Sequence, residues 1–84
     1  MQSVKVYTSE HCPYCQRAKN LLKQKGIAFQ EIDLTHDDEA RQKLQEKTGW
    51  MTVPMIFIGA EFIGGCDDLY ALDESGELEK KINE

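Results

Sequence analysis

The 84-residue chain has no run approaching the roughly 20 apolar residues needed to cross a bilayer, which argues against a spanning helix. It also lacks an excess of positive charge. Ten Lys and Arg against fifteen Asp and Glu leave a formal charge of −5, so nothing points to a nucleic-acid partner. The basic residues that do group, Lys19/Lys23/Lys25 and Lys80-Lys81, read as solvated faces. An even cysteine count is missing too. Three cysteines do not suit the disulfide framework of a small secreted domain, and reduced thiols in a cytosol-like compartment fit better. Met-Gln-Ser-Val-Lys-Val opens the chain with neither a basic nor an apolar leader region, so the expectation is no secretory signal and a cytoplasmic location. Repeats, low-complexity stretches and linkers are absent, and the length suits a single domain over 1–84. What is present is 40% apolar and 30% charged residues: one modest core under a charged surface.

The pattern along the chain predicts a β-α-β-α-β-β-α order. Val4 to Thr8 alternates like a strand, and Ser9 to His11 forms a loop into Cys12. Tyr14, Ala18, Leu21 and Leu22 then fall on one helical face, with Pro13 tolerated in the first turn and Gly26 as a stop. Ile27 to Ile32 reads as a second strand. Thr35 with Asp37, Asp38 and Glu39 reads as a cap and an acidic first turn, opening a helix to about Thr48 with Ala40 and Leu44 inward and Gly49 at its end. Met55 to Ile58, between Pro54 and Gly59, is apolar throughout and suits a buried central strand. Gly59-Ala60 turns it into Glu61-Phe62-Ile63 as an antiparallel hairpin. Gly64-Gly65 breaks the strand, and Asp67 caps a final helical region with Leu69, Leu72, Leu78 and Ile82, interrupted at Ser75-Gly76. The first βαβ unit pairs its strands in parallel, and helices cover both faces of a small mixed four-stranded sheet, an α/β class.

Cys12-Pro13-Tyr14-Cys15 carries the chemistry. A thiolate is the reacting form of cysteine, and the unpaired N–H groups at a helix start favour negative charge there. Cys12 at the cap is the expected nucleophile. Cys15, one turn on and more buried, is the expected resolving thiol. A zinc site would need two further ligands, and Cys66, His11 and His36 form no second pair, so no metal site is expected.

Cys12-Pro13-Tyr14-Cys15 after Val6-Tyr7-Thr8 resembles the active-site segment of dithiol glutaredoxins. Thr52-Val53-Pro54 before the central strand and Gly64-Gly65-Cys66-Asp67-Asp68 after the hairpin agree with that family, in order and over essentially the whole chain. The resemblance implies a thioredoxin-like fold and a cis Pro54. It also implies a groove in which the Val53 backbone pairs with the cysteinyl part of glutathione, with Thr52 beside it. Gly65, Cys66 and Asp67 would meet the γ-glutamyl end, with backbone N–H groups on its carboxylate and Asp67 on its ammonium. Tyr14 would pack against the glutathione backbone. The cation that the family often places before its first cysteine, or before Thr-Val-Pro, is replaced here by Ser9 and Met51. Arg41 on the second helix is the remaining candidate for the glycyl carboxylate. Cys66 reads as a noncatalytic buried thiol. Trp50 either lines the groove or closes the core edge.

The implied activity is reduction of protein disulfides and glutathione mixed disulfides by an enzyme without tightly bound cofactor, using glutathione as co-substrate. A potential of roughly −200 to −230 mV would let the glutathione pool drive it. Ribonucleotide reductase is one protein substrate the family serves, and a monomer is the default. Three other readings share parts of the motif. A redoxin reduced by a flavoprotein would keep Cys12 and Cys15 without a glutathione groove. An iron–sulfur carrier is opposed by Pro13 and Cys15, and a nonenzymatic interaction domain by the dithiol itself.

Overall fold

Val4, Val6 and Thr8 alternate with Lys5 and Tyr7, and this period of two makes Val4–Thr8 strand β1, one face of which is fully buried. The computed structural model describes residues 2–84. After β1 the chain enters α1 (Pro13–Gln24), whose buried residues Cys15, Ala18, Leu21 and Leu22 follow the helical period. Lys25 and Gly26 end it, with Gly26 at φ 70°. Strand β2 (Gln30–Asp33) returns parallel to β1, pairing Lys5 with Gln30 and Thr8 with Asp33. Helix α2 (Asp38–Thr48) stops at Gly49 in the left-handed region.

Strand β3 (Met55–Ile58) is buried at all four positions, as its apolar composition requires, and runs antiparallel to β1. Strand β4 (Glu61–Gly64) closes the hairpin, giving the order β2-β1-β3-β4. Helix α3 (Cys66–Ser75) and helix α4 (Glu77–Ile82) are separated at Gly76, where the sequence placed its interruption.

One face of the sheet holds the main core. Val4, Val6, Ile56 and Ile58 meet Ala18, Leu21 and Leu22 of α1, Leu69 of α3, and Leu78 and Ile82 of α4. Burying a side chain such as Leu22 stabilises the fold by about 1.5–3 kcal/mol. The other face is aromatic, with Phe57 5.7 Å from Tyr7 and 5.2 Å from Phe62 between ring centroids. Helix α2 lies on this side, with the Lys47 ammonium 5.8 Å from the Phe57 centroid. Helices on both faces of a mixed four-stranded sheet make the thioredoxin-like arrangement that the sequence implied.

The local differences have physical reasons. The second strand starts at Gln30 rather than Ile27, because the Ile27 N–H donates to the Leu22 carbonyl at 2.9 Å and holds the chain on the end of α1. Ile27 and Phe29 pack against the core from this connection. Asp37, not Thr35, caps α2, accepting the Ala40 N–H at 3.1 Å. The Thr35 hydroxyl is already engaged, donating to Asp33 and accepting the Glu10 N–H. Ala40 and Leu44 are only half-buried, and α2 has no fully buried residue. Helix α3 starts at Cys66, one residue before the expected cap Asp67, and Asp68 does the capping by accepting the Gly65 N–H at 3.0 Å.

Candidate active site

Cys12 is the residue at which loop becomes helix. Its backbone is extended (φ −109°, ψ 99°), and its sulfur accepts the Cys15 N–H at 3.2 Å. This is the geometry of an N-cap, with a sulfur in place of the usual oxygen. Pro13 follows in the first turn, where its missing N–H costs nothing. Before it, His11 holds φ 55°, an uncommon conformation for a residue with a side chain, and so turns the chain sharply into the helix.

The two thiols differ sharply in environment. Cys12 is partly exposed, whereas Cys15 is 1% exposed. Burial pushes the Cys15 thiol up to about 12, and the hydrogen bond it shares with the Cys12 sulfur adds to the rise. The Ser9 backbone N–H and the Lys19 ammonium pull the other way. Cys66 is also buried, and burial raises its thiol, with Arg17 opposing and Asp67 and Cys12 reinforcing the rise.

The Val53–Pro54 peptide is cis, as the resemblance implied. The Cys12 thiol donates to the Val53 carbonyl at 3.7 Å, which ties the sulfur to this loop. From there a groove of about 340 Å³ opens, lined by Tyr14, Trp50, Thr52, Val53, Pro54, Gly65, Cys66, Asp67 and Asp68. A larger hollow of about 480 Å³ lies near Gln2, Ile27 and Phe29, where no thiol lines it. The smaller groove is therefore the one that matters for thiol chemistry. Tyr14 stands 55% exposed at its edge, its ring 5.9 Å from the Arg17 guanidinium carbon.

The Gly65 N–H is taken by Asp68, so the next donors at the α3 start are the N–H groups of Cys66 and Asp67. A Cβ at Gly65 would sit 3.3 Å from Trp50 Cζ2, so a side chain there would press on the indole. Trp50 and Asp68 line the groove although neither was among the expected glutathione contacts. Trp50 was signalled by its place beside Thr52-Val53-Pro54, whereas Asp68 was masked by the choice of Asp67 as cap. The indole N–H of Trp50 is buried without a partner. Arg41 is half-buried on α2 and is not part of the groove lining.

A buried thiol held under an accessible one at a helix start, beside a cis-proline loop and a peptide-sized groove, is equipped for thiol–disulfide exchange. The glutaredoxin family model matches residues 4–63. The chain belongs to the glutaredoxin family. Glutaredoxin 3 of Escherichia coli K12 is 52% identical over 79 residues, covering 94% of this chain and 95% of that protein. A glutaredoxin of Pseudomonas aeruginosa is 51% identical over 83 residues, 99% of each chain. Among solved structures, the buckwheat glutaredoxin–glutathione complex superimposes with a TM-score of 0.92 at 34% identity, covering 98% of this chain and 77% of that one. The Brucella melitensis glutaredoxin matches with a TM-score of 0.87 at 49% identity, covering 100% of this chain and 94% of that one. Glutaredoxins are glutathione-dependent thiol–disulfide oxidoreductases. This chain is such an enzyme, with Cys12 and Cys15 as its close dithiol pair.

Proposed function

We propose that Cys12 is the nucleophile, Cys15 the resolving thiol, and the groove beside them the glutathione site. The observation that carries the assignment is the contact between Cys12 Sγ and the Val53 carbonyl, 3.7 Å apart at the groove. A glutathione cysteinyl group paired with the Val53 backbone presents its sulfur to Cys12. Thr52 and Pro54 flank that pairing, and the Tyr14 ring packs along the tripeptide. The N–H groups of Cys66 and Asp67 hold the γ-glutamyl carboxylate at the start of α3, while Gly65 leaves room for it. The Asp67 carboxylate meets the ammonium group. Assigning the glycyl carboxylate to Arg41 rests on the family resemblance, and glutathione affinity of Arg41→Ala tests it. That the buckwheat relative is a complex with glutathione supports the same groove in this chain.

The chemistry is two exchanges. The Cys12 thiolate attacks a substrate disulfide, forming a Cys12–substrate disulfide and releasing the other sulfur as a thiol after it takes up a proton. Cys15, or a second glutathione, then attacks that mixed disulfide and frees the reduced substrate. Two glutathione molecules reduce the Cys12–Cys15 disulfide and leave as one oxidised glutathione. Protein disulfides, ribonucleotide reductase among them, and glutathionylated proteins are the substrate classes of this reading. It places a monomeric enzyme in the reducing cytoplasm, a placement supported by the odd number of cysteines.

The test is reduction of a small glutathione mixed disulfide, coupled to NADPH through glutathione and glutathione reductase. Turnover is expected to vanish in Cys12→Ser and to persist in Cys15→Ser. Turnover supported only by thioredoxin reductase would instead favour a flavoprotein-reduced redoxin.

A further inference from the structure

Thr8 is a polar residue at the end of β1 and only 2% exposed. Its hydroxyl donates to Glu31 Oε2 at 2.9 Å, and the same oxygen receives the Lys19 ammonium at 2.9 Å. The Lys19 side chain is 13% exposed, so this is no solvated lysine on a helix surface. Holding it there costs hydration and side-chain freedom. Its position explains what the arrangement does. Lys19 lies four residues beyond Cys15, so the two share one face of α1. Thr8 directly precedes Ser9, whose backbone pulls the Cys15 thiol downward against the effect of burial. The network therefore reaches the buried thiol from both the loop and the helix. The groups that act on that thiol are Cys12 at the helix cap, which raises it, and the Ser9 backbone and then Lys19, which lower it, with the Lys19 ammonium paired to Glu31 of β2.

We propose that Lys19, seated by Glu31 and Thr8, is a positioning residue for the resolving half-reaction, where its ammonium stabilises the charge that develops on the Cys15 sulfur. This rests on the reading of Cys15 as the resolving thiol. In that step the Cys15 S–H bond breaks and its sulfur attacks Cys12 in the mixed disulfide. The Cys12–Cys15 bond forms, the bond from Cys12 to the substrate sulfur breaks, and the proton passes to the departing thiolate. The substrate sulfur is reduced as Cys15 is oxidised, and no outside reagent is needed. Burial opposes ionisation of Cys15, and Lys19 is the side-chain cation that counters it. Attack by Cys12 in the first half-reaction places no charge on Cys15, so the two half-reactions draw on Lys19 unequally.

The experiment mixes reduced protein with oxidised glutathione, quenches with acid at intervals, and follows the Cys12 mixed disulfide and the Cys12–Cys15 disulfide by mass spectrometry across pH 6 to 9. In Lys19→Met, closure to the internal disulfide is expected to slow severalfold at pH 7, with its pH profile moved upward. Lys19→Arg, which keeps the charge, is expected to restore most of the rate. The rate of mixed-disulfide formation, read also in a Cys15→Ser background, reports whether the variants are folded and competent. Closure as fast in Lys19→Met as in wild type, with the same pH profile, would overturn the proposal. So would parallel slowing of formation and closure, which marks a structural role alone. A Cys15→Ser protein that accumulates no mixed disulfide would instead count against the assignment of the two thiols.

Discussion

One equivalent of iodoacetamide added to the reduced protein at pH 7 is expected to alkylate Cys12 and leave Cys15 and Cys66 unmodified. Two independent effects produce that selectivity. Access is the first: Cys15 and Cys66 are 1% and 4% exposed, while Cys12 is only half-buried. Ionisation is the second, because the thiolate is the species that reacts. With its thiol pushed from 9.0 to about 12, Cys15 holds a thiolate about a thousandfold rarer than an ordinary cysteine at neutral pH. Cys66 is raised as well, mainly by burial. Cys12 sits at the start of α1, its sulfur accepting the Cys15 N–H. The assay is peptide mapping by mass spectrometry, with a urea-unfolded sample in which all three thiols should label as the control. Comparable labelling of Cys15 or Cys66 in the native protein would refute the reasoning.

Alkaline stability should depend on Cys15 in a definite direction. Its neutral form is favoured in the fold, so the stability it contributes is present below the unfolded value near 9.0 and is lost as pH climbs toward about 12. Between pH 8 and pH 10 the urea-unfolding free energy of wild type is expected to fall by about 1.4 kcal/mol more than that of Cys15→Ser, and equal losses would contradict the shift. Trp50, the single tryptophan, lines the groove, so its emission should change when S-methylglutathione binds. Unchanged emission at concentrations that saturate by calorimetry would remove Trp50 from the site. Gly64→Ala should cost about 1–3 kcal/mol in urea unfolding, because φ is 123° and a Cβ would collide with the Asp68 carboxyl that caps α3. A loss below a few tenths of a kcal/mol would show that the chain relaxes there without strain.

The elements that the sequence made legible are those with local signals. Alternation at Val4 to Thr8, the apolar run Met55 to Ile58 and the helical spacing after Pro13 all correspond to observed elements. Cys12 at a helix start was readable for the same reason, since a proline followed by a helical period marks a first turn. The cis bond at Pro54 was not readable from local pattern and came from the family resemblance. Boundaries went astray where contacts distant in sequence decide. Ile27 looks like strand until Leu22 holds its N–H, and Thr35 looks like a cap until Asp33 and Glu10 engage its hydroxyl. Lys19 was read as part of a solvated face. Its true setting depends on Thr8 and Glu31, which strand pairing brings together from 23 residues apart in the chain.

The most direct test of the account is to incubate Cys15→Ser protein with oxidised glutathione and map the adduct. The account predicts a single glutathionyl group on Cys12, released by reduced glutathione. Glutathionylation at Cys66 in place of Cys12, or no adduct at all, would contradict Cys12 as the nucleophile beside the glutathione groove.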